Sequence, residues 1–288
     1  MFGKSFRCAR CFAFAAVFGF AVSGTNAASV WKVSSPGGGT LYLGGSIHAL
    51  RSQDYPLPAA YNRAFDASTS MALEVDERAV DEASRSIVKA GEYPRNDNLK
   101  NHVDPRTYAY LRKLFGLLGI LEQKFTRYRP WFLALLLEAP RLHGRSEELG
   151  VEHYLIGRAH KNHKQVVGLE TAREHAEIFS GLTDKQGEAY LLLEFIPQSE
   201  GISSAQIMQA WRKGDVDLVA REFHEAYRDF PSLAVRLLDN RNRNWIPKIE
   251  KYLESGEPCF VVVGAAHLGG PNGVIALLKG RGYTVEQL

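Results

Sequence analysis

Phe260-Val261-Val262-Val263-Gly264-Ala265-Ala266-His267-Leu268-Gly269-Gly270 is the stretch that decides the fold. Its β-branched run, bounded by Pro258 and by glycines, reads as a strand buried on both faces. An imidazole stands where that strand ends. In open α/β sheets, ligands bind beyond the carboxyl ends of the strands, so a titratable group placed there by a stiff strand is well sited for chemistry. The pattern recurs near the other end of the chain, where Leu41-Tyr42-Leu43 runs into Gly44-Gly45-Ser46-Ile47-His48. If the two strands share a sheet, both Gly-x-x-His imidazoles reach one crevice.

The elements around these strands fit an α/β class. Val30–Val33 and Thr40–Ile47 flank the glycine-rich Pro36–Gly39 and read as a hairpin. A short helix to about Phe65 precedes a third strand, Ser70–Asp76. Strand, helix, strand implies a right-handed crossover and a parallel pair. From about 77 to 255 the pattern is helical, with helices expected over 105–117, 130–142, 151–161, 184–195, 203–213, 215–228 and 239–254. A strand-like Val166–Glu170 interrupts them, followed by Thr171 as an N-cap. A helix over 271–280 and a strand at Tyr283–Glu286 close the chain. The expectation is a small mixed β-sheet formed from both chain ends, with a large helical insertion.

The first 28 residues read as a leader. Lys4, Arg7 and Arg10 precede an apolar run from Cys11 to Val22, and small residues follow to Ala28. The run is short of the roughly 20 residues of a comfortable span. The expected mature product is an exported protein, periplasmic or secreted, forming one domain over 29–288 with no stable membrane span. Without the three leader cations, the 35 Lys+Arg of the chain fall to 32, equal to its 32 Asp+Glu. That balance argues against a nucleic-acid footprint. Cys259 is the one cysteine outside the leader, so no internal disulfide is expected.

Four polar residues fall at strand ends: His48, Glu74, Glu170 and His267. Two imidazoles with a carboxylate form a normal ligand set for a transition metal, and a second carboxylate suits a general base. No local ligand motif supports this, and single histidines are more often structural or solvated. Glu74 ends an apolar strand, where an unpaired carboxylate is costly; its partner would be a metal, an arginine or a histidine. Arg241 is the best candidate for a buried cation, either pairing with a site carboxylate or clamping a substrate carboxylate. Ser46 is a weak candidate nucleophile. Tyr128–Leu137 offers apolar and aromatic surface for substrate, although such runs are more often core.

Taken together, Leu43–His48, Leu73–Asp76, Gly168–Thr171, Arg241-Asn242 with Trp245, and Val263–Leu268 resemble the TraB/GumN family, which is related to PrgY and the Tiki proteins. The likeness extends in order over about Val30–Val285, and the leader suggests the GumN-type bacterial branch. It implies a site at His48, Glu74 and His267. Tiki proteins are metal-dependent peptidases supported by manganese or cobalt, and TraB and PrgY limit the response to peptide pheromones. The reading that follows is a metal-dependent hydrolase, a peptidase above all, in which Glu170 and Arg241 would orient the site or its substrate. The alternative is a protein that sequesters a peptide or small ligand in the same crevice without cleaving it.

Overall fold

A computed structural model describes residues 27–138, 145–195 and 202–288. The expected leader lies almost wholly outside the described residues, but Ala28 is fully buried and its N–H donates to the Leu288 carbonyl at 3.2 Å. Ala28, one residue before the expected domain boundary, is thus part of the packed chain.

Six strands make one mixed sheet: β1 (Val30–Ser34), β2 (Thr40–Ser46), β3 (Ser70–Val75), β4 (Gln165–Glu170), β5 (Cys259–Gly264) and β6 (Thr284–Gln287), in the spatial order β4-β3-β5-β2-β1-β6. The expected hairpin forms, with Lys32 opposite Tyr42, and β6 adds antiparallel to the far side of β1. β2, β5, β3 and β4 are mutually parallel neighbours. The expected crossover pair β2 and β3 is parallel but not adjacent, because β5, from the other end of the chain, lies between them. Its side chains are buried from Cys259 to Val263, as a strand covered on both faces requires. β4 comes from within the helical region, so the sheet draws on the insertion as well as on both chain ends.

The expected helices appear as Ala59–Asp66, Pro105–Leu117, Pro130–Glu138, Val151–Lys161, Asp184–Leu193, Ser204–Lys213, Val216–Ala226 and Asn240–Ser255, and the 139–142 part of the helix expected over 130–142 lies outside the described residues. The last is preceded by a π-helical stretch, Val235–Asp239, which the sequence pattern does not reveal. Two apolar cores result. One is centred on the sheet and takes in Trp211, Trp245 and Phe260. The other lies among the helices and takes in Leu111, Phe115, Trp131 and Phe132. The Tyr128–Leu137 run therefore serves mainly as core: Trp131, Phe132, Leu133 and Ala134 are all buried.

Candidate active site at the carboxyl edge of the sheet

Because β2, β5, β3 and β4 run parallel, their carboxyl ends share one edge, and Ser46 lies beside Gly264 while Val75 lies beside Glu170. This topology brings His48, His267, Glu74 and Glu170 together from four separate segments. Gly264 sits among three of them. A Cβ placed on it would lie 3.4 Å from Glu74 Oε1, 3.5 Å from His267 Cδ2 and 3.8 Å from His48 Nε2. The space over this glycine is a cradle walled by two imidazoles and a carboxylate.

Each wall is held from behind. His48 bonds through Nδ1 to Glu152 Oε1 at 2.7 Å, and Ser46 Oγ donates to the same oxygen at 2.5 Å. Ser46 is thus a support for Glu152, with no imidazole accepting its proton, and the serine nucleophile is not formed. Glu152 raises the His48 imidazole above its ordinary range, first by its charge and then by the hydrogen bond. The ring is 69% exposed, so solvent screens part of that lift. Glu152 was missed from the sequence because an acid in the first turn of Val151–Lys161 reads as an ordinary complement to the helix dipole. Its placement depends on Gly150: a Cβ there would stand 2.2 Å from the His48 carbonyl oxygen, so only glycine lets this helix begin against the exit of β2.

His267 is 5% exposed and its Nδ1 lies 2.6 Å from Asn242 Oδ1, while Arg241 Nη1 lies 3.1 Å from its Nε2. A guanidinium can only donate, so His267 accepts at Nε2 and carries its proton on Nδ1. Burial pushes this imidazole down to about 3 and keeps it neutral. Asn242 is itself fixed by donating to the Asn272 carbonyl at 2.9 Å. The Trp245 ring packs 4.5 Å from His267, centroid to centroid.

Glu74 accepts from the Gly264 N–H at 2.8 Å through Oε1 and from Arg241 Nη2 at 2.5 Å through Oε2. Burial alone would raise this carboxyl, but Arg241 and the other surrounding donors outweigh it and hold it ionised, well below the usual range. Glu170 is likewise kept ionised against its own burial, by a hydrogen bond to His175 Nδ1 and by Arg241. Trp245 Nε1 adds a third donor to Glu170, at 3.0 Å.

Arg241 uses every donor it has. Nε donates to Glu170 Oε1 at 2.7 Å and Nη2 reaches both Glu170 and Glu74. Nη1 reaches the Leu237 carbonyl and His267. Of its two expected roles, the structure shows the ion pair; no N–H remains for a substrate carboxylate. The cation locks two carboxylates and one imidazole into a fixed relation. An open groove of about 200 Å³ adjoins the Glu170–Arg241 pair, lined by Glu174, Glu177, Arg236, Asn244 and Lys248 among others.

The TraB/PrgY/gumN family profile matches residues 29–287. The chain belongs to the TraB/PrgY/gumN family. Among curated relatives, it is 24% identical over 255 residues to the Uncharacterized protein YbaP of Escherichia coli strain K12, covering 86% of this chain and 90% of that protein. The protein of the same name from Shigella flexneri matches with the same identity and coverage. No solved structure matches. All five residues singled out in the sequence, His48, Glu74, Glu170, Arg241 and His267, lie in the cluster at the sheet edge. Among the described residues, no three of His, Cys, Asp and Glu stand close enough as placed to hold a metal ion. Arg241, at His267 Nε2 and Glu74 Oε2, takes two of the positions an ion would use. The donor set nevertheless fits one in kind. Both histidines are tied at Nδ1 by an oxygen acceptor, the usual outer support of a metal-bound imidazole, and Glu74 Oε1 lies 3.9 Å from His267 Nε2.

Proposed function

We propose that this protein is a metal-dependent hydrolase, acting most naturally on a peptide, with His48, Glu74 and His267 as the residues that would hold the ion. The observation that carries the reading is the cradle over Gly264, walled by those three groups with both Nδ1 atoms already committed elsewhere. Charge supports it as well: Glu74, Glu152 and Glu170 are three carboxylates about a single guanidinium, with the imidazoles of His48 and His175 beside them, an arrangement that favours a cation. A divalent ion, manganese or cobalt by family resemblance, would polarise a scissile carbonyl and acidify bound water. The chain's own residues prepare the ground for that chemistry. Glu152 orients the His48 ring, Asn242 fixes the His267 tautomer, and Arg241 holds Glu74 and Glu170 ionised beside them. With Glu74 held against the Gly264 N–H, Glu170 is the carboxylate of the cluster that lines the adjoining groove, beside Glu174 and Glu177. We further take the chain to be exported, on the leader pattern of residues 1–28.

A second reading, sequestration of a peptide or small ligand, draws on the mutual saturation of Arg241, Glu74 and His267, a network that can bind beside itself without reacting. Elemental analysis after manganese loading and dialysis tests the first. About one equivalent, retained by the wild type and lost in both His48→Ala and His267→Ala with folded circular dichroism spectra, is the expected outcome. Loss of no metal in either variant would remove these histidines as ligands. A peptide library then separates the readings, since a sequestering protein saturates at one equivalent and a hydrolase turns over.

A further inference from the structure

The turn between the helices Pro105–Leu117 and Glu122–Phe125 carries four apolar residues in five positions, all facing water. Leu117 is 78% exposed, Leu118 63%, Ile120 39% and Leu121 66%. Single exposed leucines need no explanation, but a contiguous tip of them does. Nor is the turn free to fold them away. Immediately beneath it, Phe115 and Phe125 are buried with rings 4.6 Å apart, and the Ile120 N–H donates to the Phe115 carbonyl at 2.8 Å. Gly119 takes a positive φ of 70°, which fixes the reversal.

Charge around the tip is one-sided. Residues 105–127 hold five basic side chains and one acid, Glu122, in a chain whose total is close to balance. Glu122 is neutralised by Arg112 at 3.2 Å and accepts from Tyr108, while Arg127 pairs with Glu92 at 2.5 Å. Lys113 and Lys124 flank the leucines with no ion pair among the described residues. Four aliphatic side chains on a convex turn are too few for a stable protein interface, which needs about 800 Å² on each partner. They do suit the headgroup boundary of a bilayer, where an apolar element enters only about 5–10 Å and needs a basic signal beside it.

We propose that this tip docks the protein peripherally on an anionic phospholipid surface, with Leu117, Leu118, Ile120 and Leu121 entering the boundary and Lys113 and Lys124 meeting lipid phosphates. Among the described residues no helix is long and apolar enough to cross a membrane, so the attachment is to one face. This inference is independent of the chemistry at the sheet edge.

The test is a depth probe in the full chain. The four native tryptophans, Trp31, Trp131, Trp211 and Trp245, are all buried, so the indole added by Leu118→Trp reports on the tip. Its emission should shift to the blue and be quenched by vesicles of chain-brominated phosphatidylglycerol, and much less by brominated phosphatidylcholine. Adding Leu117→Glu and Leu121→Glu should weaken that partitioning at least about tenfold. An added indole that stays unquenched at saturating phosphatidylglycerol overturns the proposal, even if the chain sediments with vesicles, because residues 1–22 would then be making the contact. A lipid-independent dimer that the two glutamates dissolve, without quenching, overturns it in favour of an interface between copies.

Discussion

Gly264 shows how one residue sets the site. Its φ of −49° and ψ of 136° are open to any residue, so glycine is not required there by the backbone. Nor is it required by packing, because an added Cβ meets nothing closer than 3.4 Å, an ordinary contact. What the missing side chain leaves is space among His48, Glu74 and His267. Gly264→Ala should therefore keep its stability to within about 1 kcal/mol, the usual range for a tolerated substitution. If the cradle holds the ion, the same variant should lose manganese retention. A thermal melt beside elemental analysis checks both, and a stable variant that still retains one equivalent would place the ion elsewhere. Arg241 is a contrasting case. The sequence made it a candidate cation with two possible roles, and only its five satisfied N–H groups decide between them. Hydrogen-bond saturation is a property of positions in space, and residue identity does not encode it. The same holds for Glu152, whose role depends on Gly150 docking a helix start against the exit of β2.

At the scale of elements, what was legible is what periodicity and end signals report. The β5 run, the hairpin glycines and the Pro-opened helices carry their signals locally, and each forms close to its expected place. Insertion of β5 between β2 and β3 was not legible, because strand order depends on which apolar faces complete one core. The π-helical stretch Val235–Asp239 was hidden too, since one extra residue in a helical turn barely disturbs a 3.6-residue pattern. It directly precedes Arg241 and Asn242, and π segments often mark functional positions. Thr171, expected as an N-cap, forms a reciprocal capping box with Glu174, at 3.1 Å and 2.8 Å. That cap begins the helix Ala172–Ser180 immediately after Glu170. Thr171→Ala should lower stability by about 1 kcal/mol, the usual cost of a lost cap, read as a shifted denaturation midpoint with an unchanged slope. A null effect would mean that the Arg241, Trp245 and His175 contacts to Glu170 fix this helix start unaided.

On the scale of the whole molecule, the two cores are held by different electrostatics, and this makes stability depend on pH. The sheet-edge cluster pairs buried carboxylates with Arg241, which stays charged throughout the accessible range. The helical core is fastened by His102, whose Nδ1 meets Asp184 at 2.8 Å and whose Nε2 meets Asp97 at 2.7 Å, with Tyr93 stacked on the ring at 4.5 Å. With a carboxylate at each nitrogen, both nitrogens must donate, so the folded state favours the imidazolium. Burial alone would lower this histidine from 6.5, but Asp184 and Asp97 outweigh it and raise it. The folded chain therefore binds more protons than the unfolded chain between 6.5 and the raised value. The stability this clasp supplies is fully present below 6.5 and is lost as pH rises through the folded value. His48, lifted by Glu152, contributes in the same direction. His267, held neutral by burial, works against both, because the unfolded chain would protonate it as pH falls through 6.5. With two histidines raised and one lowered, the wild type should be more stable near pH 6 than on the alkaline side of neutrality. His102→Gln should remove the clasp's share of that slope and leave the share of His48. Denaturant midpoints measured across pH for both proteins check this, and identical slopes would show that the two aspartates do not hold a proton on His102.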